Sequence, residues 1–163
     1  MHVAEADGFR QFLLGVQQPV YHFTNWRWAM GEMFRFAAAR PTSLLYRRDA
    51  DGRFVLVGAM YSAPARASLD ELVRRVPLGV ARWHEHVHWC VPPRGQAGAA
   101  RWRETHDGKP VFGPKSPIAT AQACAAAGGR FLPRSFGWMV HVMAFESDDP
   151  KVVWGSTEHS HTR

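Results

Sequence analysis

The sequence predicts an α+β fold: a mostly antiparallel sheet or small β-barrel with two or three short helices. Three observations carry that prediction. Two apolar runs, Ser43–Arg48 and Arg53–Tyr61, flank Asp49-Ala50-Asp51-Gly52, and Asp-Gly between such runs is a hairpin signal. Ser68-Leu69-Asp70-Glu71 is a capping box that opens a short helix. The 14 Gly and 11 Pro residues are scattered along the chain, which favours many turns and short strands over a helical bundle.

The elements follow in order. Residues 5–17 mix apolar and polar positions and predict a short helix, broken by Pro19. Val20–Trp26 has the β-branched and aromatic content of a strand, and Glu32–Phe36 alternates weakly. The hairpin comes next, and Pro64 ends its second strand. The capped helix runs to about Arg75, limited by Pro77. Residues 83–90, Trp-His-Glu-His-Val-His-Trp-Cys, then read as a strand stopped by Pro92-Pro93, and Arg94–Asp107 reads as a surface loop. Ser116-Pro117 suits a helix start. Ala119–Ala127 suits its body, and Gly128-Gly129 its end. Gly137–Phe145 is a further strand, Lys151–Trp154 a short edge strand, and the polar tail from about residue 156 is expected to be mobile. The whole, 1–163, reads as a single domain.

Composition narrows the functional classes. A hydrophobic content of 46% and a charged content of 21% are globular values, and no apolar run is long enough to span a bilayer. The formal charge is +6 and 17 of the 20 basic residues are Arg. They are dispersed rather than gathered on one groove or helix, so no nucleic-acid partner is expected. The first residues lack a charged segment followed by an apolar one, so no signal peptide is visible. The protein is expected in the periplasm or outside the cell if a leader has been removed, and otherwise in the cytoplasm.

The chemistry lies in the His-rich segment. On a strand, His84, His86, His88 and Cys90 project from one face. A second strand face, Met139, His141, Met143 and Phe145, brings His141 toward them, and His22 is a further candidate. Several neutral imidazoles at 2.0–2.1 Å suit zinc or copper, and adjacent thioethers tilt the choice toward Cu(I). The expected metal ligands are therefore His84, His86 and His141, with His22 and His88 as further members. His106, His159 and His161 are expected at the surface. The seven Trp residues are expected to fill the core. Cys90 has two readings, as a ligand or as the disulfide partner of Cys124; in an oxidising compartment the disulfide is favoured.

Two enzyme readings compete with simple metal binding. His84-Glu85-x-x-His88 is a zinc hydrolase signature if the segment is helical, with Glu85 activating a bound water. The β-branched and aromatic content and the nearby Pro92 oppose a helix. A cupin-like site would use His84, His86 and His141, with Glu32 or Glu146 supplied by tertiary proximity. A structural interaction domain without metal, its histidines hydrogen-bonded to one another, is the third reading.

Four stretches resemble a group of uncharacterised bacterial proteins, often exported. They are Tyr-His-Phe-Thr-Asn-Trp (21–26), Arg-Pro-Thr-Ser-Leu-Leu-Tyr with the following Gly-Arg-Phe-Val-Leu-Val-Gly-Ala-Met-Tyr (40–61), Trp-His-x-His (83–86) and Gly-Trp-Met-Val-His-Val (137–142). The resemblance implies a cell-envelope setting and a site lined by His22, His84, His86 and His141. It assigns no reaction.

Overall fold

The computed structural model describes residues 2–14 and 16–155. The elements are α1 (His2–Ala6), β1 (Arg10–Gln11), β2 (Tyr21–Thr24), α2 (Trp26–Glu32), β3 (Ser43–Arg48), β4 (Phe54–Ala63), α3 (Leu69–Arg75), β5 (His84–Val91), α4 (Gln96–Arg101), β6 (Thr105–His106), β7 (Lys109–Pro110), α5 (Ala121–Ala126), β8 (Arg130–Val142) and α6 (Pro150–Val153). The class is α+β. Six strands form one sheet in the order β1-β2-β3-β4-β8-β5, and β6 and β7 form a separate two-stranded ribbon. The chain divides into two compact units, one from Met1–His84 and the chain beyond Gly137, the other Glu85–Phe136.

In the first unit the hairpin forms where the turn chemistry demands it. β3 and β4 pair antiparallel, and Gly52 takes the positive φ (77°) that closes the turn. A register shift between Leu45 and Tyr46 marks a bulge, which bends the ladder. The capping box of α3 is complete: the Ser68 hydroxyl accepts from the Glu71 backbone, and the Glu71 carboxylate accepts from the Ser68 backbone. Leu72 and Val76 carry the inward side of α3 into a cluster with Ala63, Ala81, Trp83 and Val140. Leu45, Val57, Met60, Met139 and Met143 form another cluster, and Ala4, Phe9, Tyr21, Phe23 and Tyr46 a third.

Several segments differ from the sequence expectation, among them β8, which begins at Arg130 instead of Gly137. The chain leaves α1 at Gly8, whose φ is 87°, and Arg10-Gln11 pairs with β2 instead of continuing a helix. Trp26–Glu32 is helical because Asn25 caps it, its side chain accepting from Trp28 N, so the strand expected over Val20–Trp26 ends at Thr24. Lys151–Trp154 is mostly helix, started by the Asp149 cap and by Pro150 in the first turn. In the second unit, residues 94–107 contain α4 and β6, the latter joined to β7 through Asp107-Gly108, both at positive φ.

The second unit has its own core: Cys90, Phe112 and Cys124, with Trp102, Val111, Ile118 and Phe131 packed around them. The Cys90 and Cys124 sulfurs stand at disulfide separation, 2.02 Å. Helix α5 starts later than Ser116, at a Thr120 cap. Ser116 instead closes a turn, donating to Val111 O and accepting from Ile118 N. The expected mobile tail, with His159 and His161, lies outside the described residues.

Candidate metal centre

One face of the first unit's sheet carries the histidines. His22 on β2 is paired with Leu45 on β3, and Leu45 with Gly58 on β4. Met60 on β4 is paired with His141 on β8. Because alternate residues share a face, His22, Leu45, Gly58, Met60, Met139 and His141 lie on the same side. A flat ladder would set β2 and β8 about 14 Å apart across three strand spacings. Yet His22 Nε2 and His141 Nε2 are 3.4 Å apart. The bulge in β3 and β4 curls this part of the sheet.

Gly58 is required by a close backbone approach. A Cβ there would stand 2.1 Å from Val142 O, so the end of β8 crosses the β4 backbone at a distance only glycine permits. His141 is 5% exposed, and the surrounding Leu45, Met60, Met139 and Met143 are buried. The same face continues into Thr24, Ser43 and Ser62, also buried, with Thr24 Oγ1 and Ser43 Oγ 2.9 Å apart.

His84, at the first position of β5, joins the pair. Its ring centroid is 4.9 Å from that of His141, edge-on. The residue before it, Trp83, anchors the strand start by packing beside α3 and donating Nε1–H to Val76 O at 3.1 Å. His84 Nδ1 faces Arg82 O at 3.4 Å. A proton on Nδ1 makes Nε2, which is buried, the lone-pair nitrogen. Burial lowers the His84 pKa below its ordinary value, against the opposing pull of the Arg82 carbonyl; this favours the neutral ring that a metal requires.

The remaining candidates are placed differently. His86 lies in the second unit, stacked on Trp89 with centroids 4.8 Å apart. The period-two face of β5 breaks at His88, which adopts φ 57° and is exposed beside Phe131. Beyond it Trp89, Cys90 and Val91 are all buried, so Cys90 is directed into its own core against Cys124. Residues 84–88 are strand, which removes the helical spacing the hydrolase motif requires, and Glu85 is ion-paired with Arg134 at 3.2 Å. The two carboxylates a cupin-like site would draw on are also engaged: Glu32 with Arg75, and Glu146 with Arg47. His106 is exposed.

Among the described residues, no three His, Cys, Asp or Glu side chains stand together as a formed metal site. Two of them, His22 and His141, stand at the right separation for a shared ion. They come from the separate stretches 21–26 and 137–142, and pairing registers across four strands bring them together. Comparison with known proteins finds no matching family, no similar curated protein and no similar solved structure.

Proposed function

We propose that the first unit binds a transition metal ion, zinc or copper, through His22 and His141, with His84 as the third donor. The observation that carries this reading is the 3.4 Å between His22 Nε2 and His141 Nε2. Two nitrogens each 2.0–2.1 Å from one tetrahedral ion are about 3.3–3.4 Å apart. Completion of the site requires the His84 ring to turn toward the pair. Binding or sequestration is favoured over catalysis. The face around the rings is built of Leu, Met, Ser and Thr, and the two carboxylates a cupin-like site would draw on, Glu32 and Glu146, are held in ion pairs. The Cys90–Cys124 pair supports an oxidising setting such as the bacterial cell envelope.

The same contact reads alternatively as an N–H···N hydrogen bond in a metal-free core. Metal analysis separates the two. Protein reconstituted with Zn(II) or Cu(I) and then desalted is expected to retain close to one ion per chain, and His22→Ala and His141→Ala to lose most of it. Retention by neither wild type nor variants, or equal retention by all three, defeats the proposal.

A further inference from the structure

Helix α2 has two opposed stripes, and only one of them is accounted for by the fold. Trp28 and Glu32, four residues apart, face inward: Trp28 packs edge-on against Phe9 with centroids 5.2 Å apart, and Glu32 is buried against Arg75. Trp26 and Met30 have the same spacing on the outward side and are 51% and 62% exposed. Phe34, in the turn that follows α2, is 84% exposed. Phe12 lies beside Trp26, with ring centroids 6.1 Å apart.

Along residues 26–40 the exposed charge has one sign. Arg27, Arg35 and Arg40 are exposed, whereas the single acid of residues 26–40, Glu32, is turned inward and paired. Exposed Trp, Phe and Met interleaved with Arg is the chemistry of the membrane–water boundary. The apolar groups enter the headgroup and acyl region while the guanidinium groups meet anionic headgroups. The formal charge of +6 acts in the same direction.

We infer that the outward face of α2, with Trp26 and Met30, together with Phe34 in the turn after it, docks on an anionic lipid surface. The two-turn helix seats shallowly, and the surrounding arginines supply selectivity for anionic over neutral bilayers. The patch is independent of the histidine site and of the metal reading.

The test is co-sedimentation of the purified full chain with vesicles of phosphatidylcholine plus phosphatidylglycerol, and with phosphatidylcholine alone. Binding is expected to the mixed vesicles, to weaken with added salt, and to be lost on neutral ones. The triple variant Trp26→Ser, Met30→Ser, Phe34→Ser and the pair Arg27→Glu, Arg35→Glu are each expected to bind roughly tenfold more weakly. All five positions are exposed, so an unchanged thermal melt shows that the fold is intact. The inference is overturned if wild type fails to sediment with anionic vesicles at low salt, or if the variants bind as wild type does. It is equally overturned if the apolar variant instead abolishes a dimer seen by analytical ultracentrifugation without affecting vesicle binding.

Discussion

Glu32 shows how one buried charge sets a pH dependence. Its Oε1 accepts from the Ala37 backbone at 2.9 Å, and Arg75 Nη1 lies 3.6 Å from Oε2. Burial nevertheless dominates and raises the carboxyl above its ordinary 4.5, outweighing the Ala37 hydrogen bond and the Arg75 charge. A carboxyl with a higher pKa in the folded state holds its proton more tightly there than in the unfolded chain. Stability from this group is therefore greatest below pH 4.5 and declines as the pH rises through the folded pKa. Glu32→Gln, which mimics the protonated form, is expected to gain on wild type across that rise, with a flatter plot of urea midpoint against pH. At this scale the sequence named His22, His84 and His141 as candidates. It did not indicate that His88 leaves the face of β5. That departure follows from the positive φ at His88, and neither hydrophobic pattern nor residue type announces it.

At the scale of elements, local chemistry was readable wherever turns and caps carry it. Asp49–Gly52 and Ser68–Glu71 specify their turn and helix start through hydrogen bonds within a few residues. The caps Asn25 and Asp149 were equally present in the sequence, but Asn25 fell inside the strand expected over Val20–Trp26 and the β-branched residues after Asp149 suggested an edge strand. In α2 a cap and a buried Glu32, and in α6 a cap followed by Pro150, override such propensities. Gly58 is the element-scale requirement of the site. A Cβ 2.1 Å from Val142 O forces β4 and β8 apart. Gly58→Ala is therefore expected to cost on the order of 1–3 kcal/mol in urea unfolding. It is also expected to weaken metal retention, because the shift acts on the strand that carries His141.

At the scale of the molecule, the two units are held by different means. The first buries three apolar clusters. The second relies on a small core centred on Cys90 and Cys124, which are 34 residues apart in sequence. Closing a loop of that length restricts the unfolded chain by about 3–4 kcal/mol in the chain-entropy account. Cys90→Ser with Cys124→Ser is expected to lower stability by up to that amount and to admit limited proteolysis first within Glu85–Phe136. The first proteolytic cuts, located by mass spectrometry, check this; first cuts inside Tyr21–Ala63 would contradict it.

By itself the sequence determined the α+β class, the β3–β4 hairpin, the capped α3 and the residue types able to bind metal. These depend on periodicity, turn residues and caps, interactions of short range along the chain. Only the tertiary structure decided which histidines meet. His22 and His141 are 119 positions apart, and their approach depends on the registers of β2, β3, β4 and β8, one bulge and one close backbone crossing at Gly58. The same holds for α2, whose outward stripe became visible only once Trp28 and Glu32 were seen to occupy the inward one. Pairing registers and helix orientation are set by packing between distant segments, and a pattern read along one segment contains no record of them.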